Sequence, residues 1–369
     1  MSVITHGCRS NLAEADALAR WAGPGVTVIN SCAVTAEAVR DARRSAKKAL
    51  QAGRPVWITG CAQKVAPERL ADLPVRLVDK PWLSGAATLR ARGFVAIQDG
   101  CEHHCTFCVT RLARGPARSA PPADVVEAVR TLVAQGAREV VLTGVDACHW
   151  GQDLAGRPRL GGLVEAVLKA VPELPRLRLS TLDPAAVDDG LVALFAEPRL
   201  MPHLHLSLQS GDDLILKRMR RRHRAADAVR LVEAVRRIRP DVAVGADLIA
   251  GFPTESDSAH ANSLAIAAAC GVVHAHVFPF SPRPGTVAAR MPQLPRETAR
   301  ARAADIRAQA EARKAAWLQA FVGKEVDVVS EGAKGLSPHF AEVQLATPLP
   351  RGQLAGVRVK RVAQGVLIA

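Results

Sequence analysis

The sequence predicts an α/β protein of three parts, on three observations. Short apolar runs rich in β-branched residues alternate with helical stretches over most of the 369 residues. That alternation restarts near "GFVAIQDG" (93–100), and the last 48 or so residues carry strand-like runs with no helix between them. The expected architecture is an N-terminal parallel-sheet α/β domain over residues 1–90, a partial or full (β/α) barrel over 91–320, and a small C-terminal β-barrel over 321–369.

In the first part the strands are "SVIT" (2–5), "VTVINS" (26–31), "PVWITG" (55–60) and "VRLVD" (75–79). Between them "NLAEADALARWA" (11–22), "AEAVRDARRSAKKALQAG" (36–53) and "APERLADL" (66–73) read as helices. In the second part "REVVLTG" (138–144), "RLRLSTLD" (176–183), "HLHLSLQS" (203–210), "VAVGADLIAG" (242–251) and "VVHAHVFPFSP" (272–282) read as strands. Helical patterns such as "PADVVEAVRTLVAQG" (122–136), "AADAVRLVEAVRRIRP" (225–240) and "SDSAHANSLAIAAACG" (256–271) lie among them, and so many βα units in one stretch suggest a barrel. A long helical pattern (294–323) leads into the runs "KEVDVVS", "FAEVQLA" and "AGVRVKRVAQGVLIA".

The 49 Lys and Arg outnumber the 35 Asp and Glu, a net charge of +14. Such a balance favours an anionic partner such as a nucleic acid, against the alternative of an Arg-rich compositional bias. No apolar run is long enough to span a bilayer and the N-terminus lacks a basic, then apolar, leader, so a cytoplasmic protein with no membrane partner is expected. In a reducing compartment its eight cysteines are expected to be metal ligands, catalytic thiols or core fillers rather than disulfides.

Six of the eight form two sets. Cys8, Cys32 and Cys61 each follow directly on an apolar β-run, in "VITHGC", "VTVINSC" and "VWITGC". The C-terminal ends of parallel strands share one edge, so these three thiols are expected to converge on one cavity; three unrelated core cysteines are the alternative. Cys101, Cys105 and Cys108 occupy one loop with C-x3-C-x2-C spacing, which suits three corners of an iron-sulfur cube and leaves the fourth iron open. A Cys3His zinc site completed by His103 or His104 is the alternative. Cys148 and Cys270 belong to neither set and read as core or near-surface thiols.

The C-x3-C-x-Φ-C pattern, with Phe107 before Cys108, resembles the cluster loop of radical S-adenosylmethionine enzymes. "THGCRSNLAEAD", "NSCAVTAEAV" and "TGCAQ" resemble the three cysteine motifs of the methylthiotransferase family within that superfamily. "QDGCEHHCTFCVTRLARG", "VVLTGVDACHWG", "HLHLSLQSGDDLILKRMRRRH", "GADLIAGFPTE" and "FPFSPRPGT" resemble its core segments, and the terminal β segment is similar to its TRAM domain, a nucleic-acid-binding module. "HGCRSN", "LTGVD" and "GLSPHFAEVQL" look most like the branch acting on threonylcarbamoyladenosine beside the tRNA anticodon. Sibling branches act on isopentenyladenosine in tRNA or on a ribosomal-protein aspartate. One departure is the pair His103 and His104, standing where relatives often carry an aromatic.

The resemblance implies two 4Fe-4S clusters, one held by Cys8, Cys32 and Cys61 and one by Cys101, Cys105 and Cys108, whose open iron takes the methionyl group of S-adenosylmethionine. It implies that a cofactor-derived radical activates the adenine C2–H bond and that a methylthio group is delivered there. It further implies a tRNA substrate, an electron donor of flavodoxin or ferredoxin type, and a sulfur source that the sequence does not identify. Phe107 and the strand-end residues Gly144, Asp146, Ser207, Gln209 and Asp247 are the candidates for cofactor contact, against turn or strand-capping roles. His203 and His205 share a strand face as cavity lining or hydrogen-bonded core. The run "KRMRRRHR" (217–224) is a solvated surface or a phosphate contact, and alternation in "RVKR" puts Arg358 and Lys360 on one strand face for RNA.

Overall fold

The apolar runs become strands, and in each sheet their alternation decides what they cover. The computed structural model describes residues 2–79 and 91–369, with the backbone alone of 86–89. The expected domain boundary at residue 90 lies outside the described residues.

Strands β1 (Ser2–Thr5), β2 (Thr27–Ser31), β3 (Val56–Gly60) and β4 (Arg76–Leu77) pair in parallel in that order. β2 is buried along its whole length, as expected of an inner strand of a covered parallel sheet. The connections are α1 (Arg9–Ala13), α2 (Ala15–Ala22), α3 (Ala36–Gln51) and α4 (Cys61–Val65). α3 begins where the Thr35 hydroxyl accepts the Ala38 N–H at 3.2 Å, a side-chain N-cap. The expected helix over "APERLADL" is corrected: those residues form only a 3-10 turn, Pro67–Arg69. Pro67 and Pro74 bracket a stretch too short to nucleate a helix, and buried Leu70, with partly buried Leu73, anchors it in the core.

The second part is a partial barrel. β5 (Ala86–Leu89) runs antiparallel to β6 (Arg92–Asp99), whose end also pairs with β7 (Arg118–Ser119); β8 (Glu139–Gly144) and β9 (Arg176–Leu179) continue in parallel from β6. β10 (His203–Gln209), β11 (Ala243–Ala250) and β12 (Val272–Pro279) form a parallel trio. Leu182 joins the two sheets, donating to His205 at 2.8 Å and accepting from Ser207 at 2.9 Å. Six parallel strands therefore follow one another in chain order, and among the described residues no ladder closes β12 onto β6. The helices are α5 (Thr110–Arg114), α6 (Pro122–Ala134), α7 (Leu160–Ala170), α8 (Asp189–Ala193), α9 (Asp213–Arg218), α10 (Ala225–Ile238), α11 (Asp257–Ala269) and α12 (Arg296–Gln319).

Alternation assigns the two faces of this sheet. Val95, Ile97, Val140, Leu142, Leu204 and Leu206 point outward into one core with Val125 and Val129 of α6 and Leu163 and Val167 of α7. The opposite, inward residues Phe94, Ala96 and Val141 pack against Ala13 of α1. The first helix of the N-terminal part thus sits against the inner face of the barrel sheet.

The third part is a six-stranded sheet in the order β16 (Leu354–Arg358), β13 (Glu325–Ser330), β14 (Lys334–Leu336), β15 (Glu342–Gln344), β18 (Val366–Ile368), β17 (Arg361–Ala363). Val326, Val328, Val343 and Leu367 form its core with Leu318 of α12. Its segment Leu336–Phe340 lies under the N-terminal ends of the barrel strands. There fully buried Arg178 donates to the carbonyls of Pro338 (3.0 Å) and Ser337 (3.3 Å) and to both oxygens of Glu139 (2.8 and 3.0 Å). Phe340 stacks on His203 with ring centroids 4.8 Å apart, and the guanidiniums of Arg178 and Arg9 each stand 5.1 Å from its centre. No helix among the described residues is long and apolar enough to cross a membrane.

Candidate functional site

The three N-terminal cysteines stand at successive strand ends: Cys8 opens α1 after β1, Cys32 follows β2, and Cys61 opens α4 directly after β3. Cys32 and Cys61 are buried and Cys8 is exposed. Gly7 shows how closely the first two loops meet. Its φ is +85°, and a Cβ there would lie 2.5 Å from Cys32 Sγ, so only glycine fits. Burial pushes the Cys32 thiol up to about 11, with the neighbouring Cys61 and Cys8 adding to the rise. Such a pocket suits an ion that displaces thiol protons.

The second set lies in the loop between β6 and α5, at the C-terminal end of the barrel. Backbone N–H groups of His103 and Thr110 donate to Cys101 and Cys108 Sγ, each at 3.4 Å, and Arg221 Nη1 lies 3.8 Å from Cys105 Sγ. Burial drives the Cys101 thiol up to about 12 and raises Cys108 as well. All six thiols are free. Three soft sulfur donors on one loop, with N–H groups aimed at them, fit an iron-sulfur cube. The same loop also accommodates the zinc alternative at His103, whose ring is bonded at 2.8 Å to the Asp146 carboxylate and whose ligand atom lies with those of Cys101 and Asp146 within 4.8 Å of one another.

The two sets adjoin. Cys108 is within electrostatic reach of Cys61. Arg114, on α5 just beyond Cys108, has Nη2 3.9 Å from Cys8 Sγ and bonds Asn11 of α1. Asp99 and Glu14 are its ion-pair partners, and its side chain is only 5% exposed. A cavity of about 280 Å³ opens beside Cys108, lined by Val34 and Thr35 from the N-terminal part and by Phe107, Gln209, Asp247 and Phe278 from the barrel.

The sequence candidates fall into three groups. Phe107, Gln209 and Asp247 line that cavity. Asp247 accepts from His205 (3.1 Å) and His276 (3.0 Å); burial works against its ionisation, but these bonds hold the carboxyl well below the usual range. His205 fits only because residue 245 is glycine, where a Cβ would lie 2.2 Å from its Nδ1. Asp146 sits at the cluster loop instead, 3.9 Å from Cys101 Sγ. Burial raises its pKa, and hydrogen bonds from His103 and His149, 2.8 Å each, outweigh this and hold it at about 2. Ser207 accepts from Arg221 Nη2 at 2.9 Å, while Gly144 lies against Gln98, beside the loop. Arg358 and Lys360 are exposed with Val359 buried between them, but the expected shared strand face is corrected: β16 ends at Arg358 and Lys360 lies in the two-residue connection to β17. They lie on the domain that closes the floor, at the other end of the barrel from the cavity.

Sequence reasoning missed Arg114 and Arg221. Neither alternative for the 217–224 run describes Arg221, which points inward to Cys105, Ser207 and Asp183. α9 ends at Arg218, and beyond it the chain alternates, burying Met219, Arg221 and His223 and exposing the residues between. His203 is floor rather than cavity lining. Cys148 and Cys270 are buried, the former accepting the Asp183 N–H at 3.3 Å.

Residues 95–265, the strands and loops that carry the second thiol set, match the radical SAM superfamily. The solved structure of TsrM from Kitasatospora setae, a radical S-adenosylmethionine methyltransferase, shares the fold with a TM-score of 0.56 at 14% identity, covering 76% of this chain and 68% of that one. The threonylcarbamoyladenosine tRNA methylthiotransferase MtaB of Rickettsia prowazekii is 35% identical over 99% of this chain and 96% of its own length. Its counterpart from Thermotoga maritima is 30% identical over 100% and 96%. A tRNA-2-methylthio-N(6)-dimethylallyladenosine synthase of Cereibacter sphaeroides is 38% identical over 76% of this chain and 66% of its own. The chain belongs to the radical SAM methylthiotransferase family, which implies S-adenosylmethionine and a 4Fe-4S cluster as cofactors.

Proposed function

We propose that this enzyme adds a methylthio group to C2 of N6-threonylcarbamoyladenosine beside the anticodon of tRNA. The observation that carries this reading is that two thiol triads from two different sheets adjoin, Arg114 reaching Cys8 from just beyond Cys108, with a cavity opening beside Cys108. A transfer that needs both radical generation and a sulfur carrier requires both centres within reach of one substrate atom. The substrate follows from the relatives: those named for threonylcarbamoyladenosine align over essentially the whole chain, whereas the dimethylallyladenosine synthase aligns over 76%.

In this reading Cys101, Cys105 and Cys108 hold the cluster that binds S-adenosylmethionine, and Cys8, Cys32 and Cys61 hold a second 4Fe-4S cluster that handles sulfur. Bound there, these groups supply one-electron cleavage of a sulfonium and a site for sulfur. The protein's own residues orient and enclose. Arg114 places a cation beside Cys8 of the first set, and Arg221 ties Cys105 of the second to the strand end at Ser207. Asp247, kept anionic by His205 and His276, offers an acceptor in the chamber for ribose hydroxyls or an amino group. Phe107 and Phe278 supply apolar wall that keeps water from a radical. Arg358 and Lys360 contact RNA, and the electron donor is of flavodoxin or ferredoxin type.

Mass spectrometry of tRNA nucleosides from a deletion strain tests the reading. Loss of the methylthio form of threonylcarbamoyladenosine, with the unmodified form accumulating, is expected. An unchanged level would refute it.

A further inference from the structure

A second cavity neighbours the chamber, and four arginines outnumber the two carboxylates, Glu68 and Asp72, in its lining. The two abut across consecutive residues: Thr35 and Ser281 line the chamber, while Ala36 and Pro282 line the neighbour, of about 610 Å³. Arg283 and Arg69 also line this second cavity. Arg283 is only 6% exposed, yet its Nε is buried without a partner. It lies within electrostatic reach of Arg69, Glu68 and Cys32, but among the described residues no carboxylate comes within ion-pair distance of either arginine. The other two arginines of the lining are already paired, Arg40 with Glu37 and Arg43 with Asp72. A buried, unpaired guanidinium facing a like charge is a costly arrangement that a bound anion relieves.

We propose that Arg283 and Arg69 form a phosphodiester site, seating the RNA backbone next to the nucleotide whose base enters the chamber. This rests on the tRNA reading and deepens it. The planar guanidinium suits two phosphate oxygens at once, and the position beside Cys32 puts the backbone at the edge of the sulfur-handling set. Such a contact is blind to sequence and fixes register, which an enzyme acting on one nucleotide of a loop requires.

The test uses the full chain with its clusters reconstituted anaerobically, and a labelled anticodon stem-loop carrying threonylcarbamoyladenosine. Binding is followed by fluorescence anisotropy from 50 to 200 mM salt for the wild type, Arg283→Gln and Arg69→Ala. Each variant is expected to bind roughly tenfold more weakly, and to lower the slope of log affinity against log salt by about 0.7, the value for one single-strand phosphate. Iron content monitors cluster integrity in Arg283→Gln, and Arg69→Ala, on an exposed turn, repeats the measurement farther from Cys32. Variants that keep wild-type affinity and slope, on RNA that the wild type binds, overturn the site and leave the substrate reading standing. A wild type that ignores this RNA overturns the substrate reading, and the site with it.

Discussion

Arg178→Met tests the junction between the barrel and the C-terminal sheet. Arg178 is fully buried, makes two bonds to Glu139 at 2.8 and 3.0 Å, and reaches the carbonyls of Pro338 and Ser337 at 3.0 and 3.3 Å. Methionine fills similar volume but leaves the Glu139 carboxylate buried without its main partner, a change that costs about 3–5 kcal/mol. The two carbonyls lose a donor as well, at roughly 1 kcal/mol or more each. Removing both charges, in Arg178→Met with Glu139→Leu, eliminates the stranded carboxylate. The double variant should therefore recover most of the loss and retain only the carbonyl term.

Hydrogen exchange read by mass spectrometry over residues 336–345 is the suitable assay, because a chain of several domains has no single unfolding free energy. The two terms together, roughly 5–7 kcal/mol, should at about 1.4 kcal/mol per factor of ten lower protection there by roughly four to five powers of ten. The double variant should fall by one or two powers of ten. A single variant that loses less than tenfold, or a double variant no better protected than the single, would show that the ion pair does not hold this junction.

Three further outcomes are expected. His203 is buried with both ring nitrogens unpartnered, and burial, then the nearby Arg178, hold its pKa well below 6.5, so its contribution is complete above that value and is lost as pH falls below it, when the unfolded chain takes up a proton. Between pH 7.5 and 5.5 this amounts to about 1.4 kcal/mol, and hydrogen-exchange protection over residues 203–209, corrected for the intrinsic rate, should be roughly tenfold less pH-dependent in His203→Gln. Gly7→Ala drives a Cβ into Cys32 Sγ and should cost about half the iron of anaerobically reconstituted protein, as Cys32→Ala should, while Cys101→Ala should remove the other half; equal, full loss in all three would argue against two separate centres. Arg221→Gln removes the cation 3.8 Å from Cys105 Sγ and should lower the potential of that cluster, observable by redox titration with electron paramagnetic resonance, while leaving a Cys101→Ala preparation unaffected.

Much of this architecture is legible in the sequence because its signals are local. Apolar runs mark every barrel strand from β8 to β12, by leucine alternation in β9 and β10 and by β-branched residues in β8, β11 and β12, and a cysteine placed directly after each of three apolar runs is already a statement about one sheet edge. What is not legible depends on tertiary placement. In "TRLARG" nothing separates Arg111 from Arg114, yet Arg114 alone is wrapped by Asn11, Glu14 and Asp99. In "KRMRRRHR" the inward turn of Arg221 follows from where α9 stops, and helix ends are poorly marked in a run of cations without a glycine or proline. "GLSPHF" gives no hint that its phenylalanine lies against His203 and Arg178 of the barrel, far earlier in the chain.

The least local feature explains how two cysteine sets from separate sheets come to adjoin. α1 follows Cys8 without a linker, and its Ala13 packs on the inward residues Phe94, Ala96 and Val141 of the barrel sheet. Cys8 is thereby held by a helix lying against the barrel's inner face, not merely by its own sheet. The next residue, Arg9, extends to Phe340 on the floor, where Arg178 and the C-terminal sheet meet. Burial and the nearby Arg178 depress Arg9 to about 10, still a full cation at neutral pH. One short helix therefore couples the first cysteine to the barrel wall and to the C-terminal domain at once. A substitution that loosened the floor would be transmitted to Cys8 through a single rigid turn, whereas Cys101, Cys105 and Cys108 are reached only along the full length of β6, whose first residue, Arg92, pairs with Glu331 of the C-terminal part at 3.4 Å.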